Sequence, residues 1–111
     1  MEIRFAKSKL HSLCNDERKL RGAFGVACAR RIQRRLAELQ AAESLEDLRN
    51  LPQARCHELT ADRKGQLAVD VEHPMRLIFE PDHQPVPTKP DGGLDWSRVT
   101  QIRVLEITDY H

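Results

Sequence analysis

Residues 55–80 read RCHELTADRKGQLAVDVEHPMRLIFE, and along them the apolar positions change from helical to alternating spacing. Leu67, Val69 and Val71 fall two residues apart, as do Met75, Leu77 and Phe79. A period of two puts each trio on one face of an extended chain. The segments "RCHEL", "GQLAVDV" and "MRLIFE" are therefore predicted to be strands, joined by turns at "TADRKG" and "EHP". Connections this short make successive strands antiparallel neighbours.

Towards the C-terminus, "VTQIRVLEIT" predicts a longer and more apolar strand, expected inside the sheet and covered by helices. Before it, residues 81–98 hold four of the six prolines and a Gly-Gly pair. A loop of that length is functional or mobile. Trp96, the single tryptophan, is expected to anchor it to the body of the protein.

Towards the N-terminus, "EIRF" reads as a short strand. Leu10, Leu13 and Cys14 recur at three- and four-residue spacing and predict a helix from Lys7 to about Leu20, with Gly22 and Gly25 marking a turn. Phe24, Cys28, Ile32, Leu36 and Leu39 form the apolar stripe of a second helix. Arg30, Arg31, Arg34 and Arg35 fall off that stripe, which suits solvent, phosphate or an acidic partner. In "SLEDL", Ser44 and Asp47 form a weak capping box for a short helix that Pro52 ends. This order predicts an α+β fold: an N-terminal strand and two helices packed on an antiparallel β-sheet, in a single domain spanning residues 1–111.

The composition, 40% hydrophobic and 32% charged over 111 residues, fits a folded domain with one core rather than a disordered chain. No apolar run is long enough for a bilayer, and the first ten residues hold no signal-peptide core. Cys14, Cys28 and Cys56 are odd in number and contain no CxxC pair, which reads as reduced thiols in a cytoplasmic protein. Charge is unevenly spread. Residues 1–64 carry 14 basic and 9 acidic side chains, whereas residues 65–111 carry 4 and 8. One basic surface for an anionic partner would account for this, as would a solvated helix face.

The chain has no GxGxxG, GxxxxGK[ST] or GxSxG motif, and its five histidines lack the spacing of a zinc helix or knuckle. A metal held by distant His57, His111 and Asp109 is the less favoured alternative to no metal. Cys56 and His57 point to opposite faces of a strand and make a poor nucleophilic pair. What remains is a dispersed set: His57 on a strand, Arg63 in the next turn, Arg76 interrupting an apolar strand, and "DYH" at residues 109–111. An antiparallel sheet can gather such residues on one face. Imidazole, carboxylate, phenol and guanidinium together suit RNA transesterification, in which the 2′-OH is the substrate's own nucleophile. The enzyme then supplies a base, an acid and cationic donors for the phosphorane. Taken singly, His57 also reads as a half-buried strand residue, Arg63 as a turn charge and Tyr110 as a core edge.

The stretch "CHELTADRKGQLAVDVEHPMRLIFE" followed by "VLEITDYH" resembles the HigB branch of the RelE/ParE toxin superfamily. In that branch a strand histidine precedes an "L-K-G-D-R-x-G" turn, an "R-[IL]-x-F" strand follows, and the chain ends at or near Asp-Tyr-His. The resemblance implies a RelE-like microbial ribonuclease-type fold and the toxin of a type II toxin–antitoxin module. It further implies a ribosome-dependent mRNA endoribonuclease (mRNA interferase) that needs neither metal nor cofactor and arrests translation and growth. Its implied partners are the ribosome, mRNA and a cognate HigA-like helix-turn-helix antitoxin, with operator DNA reached only through that antitoxin and no membrane. By matching position, the implied catalytic residues are His57, Asp109, Tyr110 and His111. Arg63, Lys64 and Arg76 are the implied phosphate-binding residues. Two positions depart from the pattern: Thr60 replaces the turn lysine and Ala61 the glycine after it, so either Lys64 compensates or activity is weaker. A ParE-like gyrase inhibitor and a catalytically decayed antitoxin-binding module are the competing expectations.

Overall fold

The computed structural model describes residues 1–109. In chain order it contains β1 (Glu2–Phe5), α1 (Ser8–Cys14), α2 (Glu17–Phe24), α3 (Val26–Ala41), β2 (His57–Glu58), β3 (Leu67–Asp70), β4 (Met75–Pro81) and β5 (Gln101–Asp109). Short 3-10 segments span Leu45–Asn50, Pro52–Ala54, Ala61–Arg63 and Trp96–Arg98. The five strands form one sheet in the order β1-β5-β4-β3-β2.

The α+β class follows the sequence expectation, with three corrections. First, the sheet is mixed: β1 pairs parallel to β5, with Ile3 opposite Ile102 and Phe5 opposite Val104. Short loops fix the direction only of consecutive strands, and nearly the whole chain lies between these two. Second, the first predicted helix is two helices. Asp16 leaves helical geometry at φ −130° and accepts from the Lys19 N–H, capping α2, while Gly22 lies inside α2. Gly25, at φ 86°, makes the break before α3. Third, "SLEDL" forms a 3-10 turn in which Ser44 caps nothing; the Asp47 carboxylate instead accepts from the Glu43 N–H at 2.9 Å.

Strand alternation divides the side chains between two faces. Leu67, Val69, Leu77, Phe79, Ile102 and Val104 are buried against Leu20, Cys28, Ile32 and Leu39 of the helices. The opposite face carries a smaller apolar cluster of Leu59, Ala68 and Ile78, with Leu105 packed on it. A bulge between Ile78 and Phe79 shifts the β4–β5 register, pairing Ile78 with Glu106 but Phe79 with Val104.

Arg35, read from the sequence as off the apolar stripe, is buried at 5% exposure. Its Nε donates to the Asp70 carbonyl at 2.7 Å, Nη1 to Glu38 Oε1 at 2.9 Å and Nη2 to the Gln53 carbonyl at 3.0 Å. It joins α3 to the end of β3 and to the turn before β2. This removes it from any surface offered to RNA or a partner, while Arg30, Arg31 and Arg34 stay exposed.

Residues 81–98 are pinned at several points. The Trp96 indole N–H donates to Glu58 Oε2 at 3.0 Å, and the Arg49 guanidinium lies 3.9 Å from the centre of its ring. His83 Nε2 accepts from the backbone N–H of Thr100 and of Gln101. Ala61 begins the 61–63 turn at φ 56°, a conformation that favours glycine. Ala61→Gly is therefore expected to stabilise the fold by roughly 0.5–1 kcal/mol, read as a raised urea midpoint.

Candidate active site

The face away from the helices gathers three of the seven polar residues singled out in the sequence, His57, Arg63 and Arg76. His57 of β2 is opposite Ala68, Ala68 opposite Ile78, and Ile78 opposite Glu106. Two residues further along, Asp70 is opposite Arg76 and Arg76 opposite Thr108. Alternation then puts His57, Asp70, Arg76, Glu106 and Thr108 on the same side of the sheet.

Arg76 is 19% exposed at its side chain, and its Nε lies 3.2 Å from Asp70 Oδ1 as an ion pair. The other carboxylate oxygen, Oδ2, accepts from Arg55 Nε at 2.7 Å. One carboxylate thus holds two guanidiniums. Arg63 Nη1 donates to Gln66 Oε1 at 3.0 Å and Glu106 Oε2 at 3.1 Å, which brings the turn cation over the middle of β5. The ring of His57 is half-buried, and its Nδ1 lies 2.6 Å from the Arg55 carbonyl. At the end of the β3–β4 hairpin a cavity of about 190 Å³ is lined by Arg31, Gln53, Asp70, His73 and Arg76.

Two predicted members lie elsewhere. Asp109 pairs with Met75, one residue out of phase with Arg76, so the pleat directs its side chain to the helix side of the sheet. The expectation that Asp109 shares a face with Arg76 is corrected by this register. Lys64 is exposed and lines a different cavity of about 440 Å³, between the 60–66 turn and the 81–98 loop, together with Thr60, Val86 and Leu94. Tyr110 and His111 lie outside the described residues.

Arg55, Asp70 and Glu106 belong to this face but were not singled out from the sequence. Asp70 and Arg76 carry a readable signal: each stands three residues from His73, the centre of the predicted "EHP" turn, so a hairpin makes them cross-strand partners. Among the described residues, no three His, Cys, Asp or Glu side chains lie close enough to hold a metal ion. No helix among them is long and apolar enough to cross a membrane.

The cysteines are poor nucleophiles. Burial pushes the Cys56 thiol up to about 12 and that of Cys14 up to about 11; it raises Cys28 as well. Desolvation disfavours the thiolate, the reactive form. Unfolded thiols lose their protons near pH 8.5, so above that pH the folded chain holds more protons and stability falls as pH rises. The urea midpoint is expected to drop between about pH 9 and pH 11, and to drop less in Cys56→Ala. Urea titrations of both proteins across that range check the difference.

No protein-family model matches this chain, and neither does any curated protein.

Proposed function

We propose that this protein is a metal-independent endoribonuclease that cuts mRNA on the ribosome, acting as the toxin of a type II toxin–antitoxin module with a RelE-like fold. The observation that carries the reading is the common sheet face of His57 on β2 and Arg76 on β4, with the Arg63 cation reaching that face through Glu106 of β5. This is the base-plus-cation pairing that 2′-OH transesterification demands. The resemblance of residues 56–80 and 99–111 to HigB-like toxins supports the same reading independently of the fold.

In the proposed reaction, His57 Nε2 takes the proton from the 2′-OH as that oxygen bonds to phosphorus. The bond from phosphorus to the 5′-oxygen then breaks, and the departing oxygen takes a proton from an acid, a role given to His111 by the resemblance. Arg76 and Arg63 stabilise the charge that builds on the phosphorane. Arginine suits this task because its planar donors match phosphate oxygens in pairs and never lose their charge. Asp109 is not assigned as the base, since the pleat turns it from Arg76. Tyr110 keeps the orienting role implied by the resemblance.

A sequence net charge of only +1 gives little electrostatic affinity for free RNA, so the ribosome is assigned much of the placement of the message. A helix-turn-helix antitoxin would neutralise the toxin in the cytoplasm. Controlled expression with mapping of transcript ends tests the proposal. New ends inside translated reading frames, together with growth arrest, are expected. Intact transcripts with a DNA-damage response would point to gyrase inhibition instead, and no toxicity at all would indicate a decayed binding module.

A further inference from the structure

Arg55 adopts a backbone conformation that long side chains avoid. Its φ of 46° and ψ of 51° lie in the left-handed region, where Cβ crowds the following carbonyl. Three contacts hold it there. Its N–H donates to the Pro52 carbonyl at 3.2 Å, closing the preceding turn. Its Nε donates to Asp70 Oδ2 at 2.7 Å. Its carbonyl, aimed by the backbone, meets Nδ1 of His57 at 2.6 Å. Surroundings that over-determine an unfavourable conformation point to a functional demand for it.

A carbonyl oxygen only accepts, so in this contact Nδ1 carries the proton and donates. In a neutral imidazole the lone pair then sits on Nε2. We propose that Arg55 is a positioning residue whose left-handed backbone fixes the tautomer of His57 and makes Nε2 the proton-accepting atom of the site. Asp70 extends the arrangement, because its second oxygen lies 3.2 Å from Arg76 Nε. One carboxylate thereby ties the segment that orients the imidazole to the guanidinium that meets phosphate. The inference rests on the reading of His57 as general base, but the tautomer can be measured whether or not RNA is cut.

The test is long-range proton–nitrogen NMR of the full ¹⁵N-labelled chain, recorded with His57 neutral. In the wild type, Nδ1 is expected to be protonated and Nε2 bare. Arg55→Gly and Arg55→Asn, both at ease in the left-handed region, should keep that pattern. Arg55→Val, β-branched and ill-suited to it, should give a mixture in which Nε2 carries the proton. Ribosome-dependent cleavage should follow the tautomer, being on the order of 10²-fold lower in the valine variant than in the glycine variant. A wild-type His57 protonated on Nε2 overturns the proposal, as does a folded valine variant with an unchanged tautomer. Should the valine variant fail to fold, the wild type and the glycine variant decide alone: loss of the pattern in the glycine variant overturns it. The expected tautomers without cleavage in any of these proteins would sink the ribonuclease reading and leave the positioning role standing.

Discussion

His57→Gln is expected to lower ribosome-dependent mRNA cleavage by about 10²–10⁴-fold while leaving the fold intact, because it removes a general base without removing a core side chain. His57 is half-buried on a two-residue edge strand, and among the described residues its ring makes one hydrogen bond, to the Arg55 carbonyl. Glutamine can still donate to that carbonyl, but it cannot take up a proton. The check is the single-turnover cleavage rate on programmed ribosomes, with urea denaturation run alongside. A rate loss at unchanged stability assigns the effect to chemistry. Unchanged cleavage would remove His57 from the mechanism.

Arg35→Ala is expected to cost on the order of 3–5 kcal/mol, the usual range when one partner of a buried ion pair is deleted. A domain this size has about 5–15 kcal/mol in total, so the variant would be close to unfolding at physiological temperature. The loss leaves the carbonyls of Asp70 and Gln53 without this donor and the partly buried Glu38 carboxylate without its cation. Arg35→Met keeps much of the packing and should lose less. Urea titration of the two variants separates packing from polar contributions. The same clamp holds the backbone of Asp70, whose side chain grips Arg55 and Arg76, so a folded Arg35→Met protein should also cut RNA more slowly.

Arg35 also shows where sequence reading fails. It stands three residues after Ile32 and four before Leu39, a spacing that puts it beside the buried stripe, yet its charge classed it with its exposed neighbours. The Glu38 carboxylate and the distant carbonyls of Asp70 and Gln53 make its burial tolerable, and pattern does not reveal the distant pair. The alternating strands were legible because pleat and hydrophobic period coincide at Leu67–Val71 and Met75–Phe79. The parallel pairing of β1 with β5 was not, since it joins residues about 100 positions apart across connections whose direction local rules leave open. Arg76 was legible as a polar interruption of an apolar strand, and His57 as a histidine on a predicted strand. Asp109 was misread because the bulge at Ile78/Phe79 and the resulting register, rather than nearness to the strand end, decide its face. Arg55 and Ala61 hid their left-handed backbones for a simpler reason: neither residue type prefers that region, so tertiary contacts must impose it.

The most direct measurement is the chemistry of the cut ends. Purified wild-type protein, ribosomes and a defined message are incubated with a strong chelator in a buffer that keeps ribosomes intact through polyamines. A 2′,3′-cyclic phosphate on the upstream fragment and a 5′-hydroxyl on the downstream fragment are expected, absent with His57→Gln. Fragments ending in 3′-hydroxyl and 5′-phosphate, or a message left whole by the folded wild type, would contradict 2′-OH transesterification on this face of the sheet.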